Sequence, residues 1–252
     1  MSSFLNRVRK WMRRILLRPI RVFVFHHVSD ERDPLVSGKA DWTSTDVFQA
    51  NILAFKRKYH FISLQEAYAK ICHDHLRFRR YAVLTTDDGL QTVCTIWPWL
   101  EEQQIPLTCF VNAKYMDGHS YKPEDPVRIL REDPEADVEE VIKRQYMSRD
   151  QVFQLQSPLI SIGSHGNEHL KATSLDEQQF RDIVLKCKEV LETHPCYVPF
   201  FAYTWGAHNK NTDRILIDMG LVPVLVDGEL NYGDPRFVHR ECIDGMITED
   251  LL

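Results

Sequence analysis

YAVLTTDDGLQ, residues 81–91, is the stretch on which the reading of this chain turns. An apolar run of strand character stops at two adjacent carboxylates, Asp87 and Asp88, followed by a glycine. Like charges side by side repel, and each costs free energy to desolvate unless it is paired or bound to a cation. Asp-Gly is also a common way out of a strand. The stretch alone therefore fits a simple turn, and its surroundings must decide.

Strand and helix patterns alternate on both sides of it. RVFVFHHV (21–28) is β-rich, and STDVFQANILAFKRKY (44–59) has helical periodicity. FISL (61–64) and LQEAYAKICH (64–73) repeat the pair. After the opening stretch come a helix at 90–103, which Pro98 should kink or shorten, and the strand PLTCFVN (106–112). A polar excursion at about 114–144 interrupts the rhythm. It resumes with a short helix at 148–156, the strand LISIGSH (159–165) and a long helix at 174–194, for which Ser174 and Glu177 offer a capping box. YVPFFAYT (197–204), a helix ended by Gly220, LVPVLVD (221–227) and RFVHREC (236–242) complete the series. Such alternation predicts an α/β fold with a mostly parallel sheet, open or closed into a barrel. Chemistry in these folds gathers at the C-terminal ends of the strands. Asp87, Asp88, His165 and the 203–205 segment all fall at such ends.

Composition and charge narrow the function classes. With 252 residues, 44% apolar and 27% charged, the chain is an ordinary globular one. It has no apolar run long enough to span a membrane. Six cysteines are scattered without a CxxC pair, and several in apolar runs read as buried thiols, which points to a reducing compartment. Residues 1–29 hold seven basic and no acidic side chains, so a net charge of −5 leaves the rest near −12. The first 19 residues predict an amphipathic helix with one basic face, stopped by Pro19. Such a helix suits an anionic membrane surface, or else packs on the domain with its basic face in water. The acidic body argues against a nucleic-acid partner.

The second informative stretch is IGSHGNEHL (162–170). His165 and His169, four apart, can turn both imidazoles toward one ion. A catalytic zinc site uses three protein ligands and an open position. An aspartate of the 87–88 pair offers the third ligand, and the other is left to handle a proton. A cation there removes the repulsion that made the pair improbable.

TTDDG (85–89), SHGNEH (164–169) and FAYTWG (201–206), in this order, resemble the first three motifs of the polysaccharide deacetylase family, the NodB homology domain of carbohydrate esterase family 4. VFVFHHVSD and FISLQEA also resemble the start of such domains, so the likeness spans roughly residues 20–245 of a domain at 20–252. It implies a distorted, TIM-like (β/α) barrel of about seven parallel strands, a divalent metal with zinc foremost, and hydrolysis of acetyl groups on sugars. Carried over, it implies Asp87 as base, Asp88, His165 and His169 as metal ligands, and the Trp205 backbone N–H as oxyanion donor. It also implies a histidine acid, for which RFVHRECIDG (236–245) offers His239. From their own positions, His26 and His27 at the end of the first strand suit the same rim, and Tyr203 and Trp205 can stack on sugar rings as substrate contacts. Thr86 stands where the family has phenylalanine, Ala202 where many members have an arginine that orients the base, Thr204 at a proline and Trp205 at a tyrosine.

The expected function is metal-dependent removal of N-acetyl groups from a sugar or polysaccharide. A lipid-linked glycan at the cytoplasmic membrane face fits the basic N-terminus. A non-catalytic carbohydrate-binding module and a hydrolase of another amide or ester remain open on the sequence.

Overall fold

A computed structural model of the chain describes residues 18–30, 42–73, 79–232 and 236–246. Ten strands occur among them: β1 (Arg21–Phe25), β2 (His27–Val28), β3 (Trp42–Thr43), β4 (His60–Phe61), β5 (Tyr81–Thr86), β6 (Leu107–Val111), β7 (Ile160–Ser164), β8 (Tyr197–Ala202), β9 (Val222–Val226) and β10 (Val238–Cys242). The helices are α1 (Thr45–Lys58), α2 (Leu64–His73), α3 (Thr92–Glu102), α4 (Asp125–Glu132), α5 (Val138–Lys143), α6 (Arg149–Gln154), α7 (Glu177–Leu191) and α8 (Lys210–Asp218). The expected helix over residues 1–19 lies almost wholly outside the described residues. No described helix is long and apolar enough to cross a membrane. All six cysteines are free thiols.

Seven strands close a parallel barrel in the order β1-β10-β9-β8-β7-β6-β5, with β5 returning to β1. The run at 236–242 is thus the strand that seals the barrel. Of FISL only Phe61 is strand, in the two-residue β4 that hangs on β5 outside the closed ring.

The period of two along each strand divides the core. Phe23 and Phe25 turn outward to α1, where Phe23 stacks on Phe55 at 4.2 Å and Phe25 meets Phe48 at 4.8 Å. Their neighbour Val22 joins Val83, Phe110, Val224 and Val238 in a second buried cluster. Phe110 explains Gly163: a Cβ there would sit 2.5 Å from Phe110 Cε1.

Two local expectations fail. Asp176 and Gln179 form the capping box of α7, while Ser174 sits in a preceding 3-10 turn and its hydroxyl donates to Lys171 O. Pro98 lies inside α3, which runs unbroken because Ile96, Trp97 and Leu100 anchor it in the core.

The excursion crosses the C-terminal mouth of the barrel. It carries a 3-10 turn (Ala113–Asp117), α4 and α5. Its far end is tied to the loop after β5: Gln91 N–H donates to Gln145 O, and Met147 N–H to Gly89 O.

Candidate active site

The mouth holds a cavity of about 310 Å³, at the small end of ligand pockets. Asp87 and Asp88 enter it from the end of β5, His165 and His169 from the turn after β7, and Trp205 from the turn after β8. The excursion lines it too, through Lys122, Asp125 and Arg128, with Tyr146 just beyond its end.

The adjacent aspartates part company because the backbone turns sharply between them. Asp88 has φ +71° and Gly89 φ +71°. Two left-handed residues in succession are strained unless the second is glycine, and aspartate tolerates the first better than most side chains. Such strain is common where function fixes a side chain.

Asp87 is 2% exposed. Arg240, 0% exposed on β10, grips both its oxygens at 2.7 and 2.8 Å and also donates to Thr85 Oγ1 at 3.1 Å. Burial alone would raise the carboxyl pKa, but the adjacent guanidinium outweighs it and keeps Asp87 below its ordinary value. Arg240 thereby supplies from another strand the contact expected of an arginine at position 202.

Asp88 faces a different set. Its Oδ1 lies 3.4 Å from His165 Nε2 and 3.3 Å from His169 Nε2. That oxygen is buried without a hydrogen-bond partner. Ligands about 2.1 Å from a tetrahedral ion stand about 3.4 Å apart, so the three donors fit a zinc-like ion. His165 Nδ1 lies 2.8 Å from Ala202 O, which fixes its proton on that nitrogen and turns the Nε2 lone pair inward. Burial drives the pKa of His169 down to about 4, leaving a neutral imidazole suited to a metal. Burial opposes ionisation of Asp88, yet the Lys122 ammonium outweighs it and holds the pKa well below the usual range.

His26, just past β1, also lines the cavity. Its Nδ1 lies 2.5 Å from Asp244 Oδ2, and its backbone N–H donates to Asp244 Oδ1 at 2.8 Å. Burial works against a charged ring, but Asp244 prevails and raises the pKa of His26 well above its ordinary value. Cys242 Sγ donates to the same carboxylate at 3.1 Å. These three side chains could gather round an ion, but both Asp244 oxygens are already engaged by His26.

Two expectations are corrected here. His239 does not line the cavity. It alternates with the inward Arg240, so its ring points out of the barrel, where Nδ1 meets Asp227 Oδ2 at 2.8 Å. It is therefore not placed as the acid. Tyr203 borders the cavity but is 1% exposed, and its hydroxyl donates to Asp213 Oδ1 at 3.0 Å. It supports the wall rather than offering a face to sugar. Trp205, by contrast, is 56% exposed, with φ +59° and its ring 5.1 Å from that of His169. His27 lines the cavity beside His26.

The sequence reading missed Asp244, Lys122, Glu124 and the grip of Arg240. Asp244 carried a signal, since IDG after β10 repeats the strand-Asp-Gly pattern of β5. Lys122 and Glu124 carried none.

The polysaccharide deacetylase family model matches residues 77–224. Curated protein sequences give no match. Among solved structures, the deacetylase PplD of Streptococcus pyogenes, determined in complex with acetate, superposes with a TM-score of 0.74 at 15% identity, over 93% of this chain and 97% of that one. IcaB from Ammonifex degensii gives 0.69 at 20% identity, over 92% and 93%. A de-N-acetylase from Aggregatibacter actinomycetemcomitans gives 0.69 at 16%, over 92% and 98%. At these identities the superpositions establish the fold, a distorted (β/α) barrel. Because the family model spans more than half of the sequence and includes all four residues of the acid-histidine centre, the chain belongs to the polysaccharide deacetylase family of hydrolases.

Proposed function

We propose that the protein is a metal-dependent N-deacetylase of an acetylated amino sugar within a larger glycan. The observation that carries this is the division of labour between neighbours: Asp87 is committed to Arg240, while Asp88 Oδ1 joins His165 and His169 around one point.

Asp88, His165 and His169 would hold the ion. The chemistry that a divalent ion supplies there is Lewis-acid activation of the acetyl carbonyl and of the attacking water. Asp87, kept ionised by Arg240, is the base that takes the water's proton. His26, kept protonated by Asp244, faces the same cavity and is the acid that gives a proton to the leaving amine nitrogen. The backbone N–H of Trp205 is a donor to the oxyanion. Its exposed indole is a face on which a sugar ring can stack. Water supplies the hydroxyl of the released acetate, and the amine keeps the proton from His26.

The reading extends to location. The interleaved basic and apolar residues of 1–29 support work at an anionic, cytoplasmic membrane face on a lipid-linked glycan.

The test is acetate release from a panel of N-acetylated oligosaccharides, assayed with and without added Zn²⁺, with O-acetylated and simple amide substrates alongside. Release confined to N-acetyl sugars is the expected result. Release only from esters or unrelated amides, or none with any metal, overturns the reading.

A further inference from the structure

The excursion is the part of the chain that the deacetylase chemistry leaves unexplained. It brings two charged side chains behind the metal ligands. Lys122 Nζ donates to Asp88 Oδ2 at 2.6 Å, with both side chains 9% exposed. Two residues on, Glu124 Oε1 faces His169 Nδ1 across 3.8 Å. Each of those two atoms is buried and has no hydrogen-bond partner. Glu124 precedes α4 without capping it, so its carboxylate is not committed to the helix. Asp88 and His169 thus each turn one atom to the shared point and the other to the excursion. His165 is supported differently, by Ala202 O.

We propose that Lys122 and Glu124 are positioning residues of the metal centre and set its affinity through opposed charges, Glu124 tightening it and Lys122 loosening it. The inference rests on the metal-dependent reading above.

The argument for Glu124 is one of proton placement. An imidazole that gives its Nε2 lone pair to a cation carries its proton on Nδ1. That buried N–H then needs an acceptor, and ligating histidines commonly find a carboxylate. Glu124 Oε1 faces it at 3.8 Å, a separation that has to shorten to make the bond. The acceptor raises the basicity of His169 and fixes its ring.

The argument for Lys122 is electrostatic. Its ammonium sits on one oxygen of the carboxylate whose other oxygen faces the ligand point. Two cations on one buried carboxylate repel at a few ångströms. Lys122 stabilises ionised Asp88 by itself, so it competes with the ion.

The two contacts are built in. Lys122 N–H donates to Asp125 Oδ2 at 2.9 Å, and Tyr146 hydroxyl to the same oxygen at 2.6 Å. Leu90 pairs with Tyr146, which ties this corner to the loop that carries Asp88.

The experiment measures Zn²⁺ affinity by competition with a chromophoric chelator, using the full chain. Wild type is compared with Glu124→Ala, Lys122→Met and Glu139→Ala, the last an exposed residue of α5 on the same excursion. Glu124→Ala is expected to weaken binding about 10- to 100-fold. Lys122→Met is expected to tighten it about 10-fold. Glu139→Ala is expected to change nothing. Circular dichroism checks that each variant folds, and Glu124→Ala, at a half-exposed position, keeps the test alive if Lys122→Met does not. A merely structural role would weaken binding in both variants, and that result overturns the proposal. Unchanged affinity in Glu124→Ala also overturns it. A wild type that binds no metal overturns the metal-dependent reading together with it, which separates the two failures.

Discussion

Arg240 and Asp87 form a fully buried fork between two strands that are 153 residues apart in sequence and not paired with each other. The guanidinium lies over the Phe110 ring, 5.2 Å from its centroid, so the pair rests on the apolar filling of the barrel. This geometry keeps Asp87 ionised, the state that a general base would need.

Removing one partner of a buried pair leaves a charge without compensation. Arg240→Ala is therefore expected to lose about 3–5 kcal/mol of stability, measured by urea unfolding. Arg240→Lys keeps the charge but not the fork, so it should fall in between. Wild-type stability in Arg240→Ala would mean that Asp87 is not held as described.

The two aspartates should fail differently. Asp87→Asn is expected to keep its metal and lose about 100-fold or more in acetate release, the usual order for general-base help. Asp88→Asn and His165→Ala are expected to lose metal as well as activity. Metal analysis of the purified variants decides it. Loss of metal in Asp87→Asn would reverse the assignments.

The barrel was legible because its strands alternate with helices at regular spacing and end in polar residues. The cluster of Asp88, His165 and His169 was legible because the three lie in short local patterns. Arg240 was harder: it acts across the barrel on Asp87, and only the closing position of β10 brings it there. His239, its neighbour, read as the acid because a strand's facing is fixed by register, and register is not visible in a strand of uncertain bounds. Lys122 and Glu124 sit in a polar stretch whose path over the mouth depends on tertiary ties through Tyr146 and Gln145.

His26, not His239, is expected to carry the titration that matters. Its folded pKa is raised, so the stability it gains from Asp244 is fully present below about 6.5, the unfolded value, and is lost as pH climbs through the higher folded value. Imidazole NMR on metal-free protein should place its midpoint well above the ordinary value, and Asp244→Asn should lower it. Activity should decline on the alkaline side as His26 loses its proton. His239→Ala should leave the pH profile of acetate release unchanged, whereas His26→Ala should abolish its alkaline limb. An unperturbed His26 titration would remove it as the acid.

The basic N-terminus is testable apart from the chemistry. The barrel's first described backbone contact is Ile20 N–H to Asn231 O, so a chain lacking residues 1–17 should fold and keep its acetate release. The removed segment contains five of the seven basic residues of 1–29. Each basic residue near an anionic surface contributes about 1 kcal/mol, so the truncation should abolish binding to phosphatidylserine-containing vesicles. Full-length binding should weaken with salt, because a Debye length of about 8 Å at physiological ionic strength shrinks as salt is added. A residue of binding should persist at high salt, since insertion of Phe4 and Trp11 does not depend on charge. Full-length protein that ignores such vesicles would sink the membrane reading. Aggregation of the truncated chain would instead mean that the apolar face of the segment covers part of the barrel.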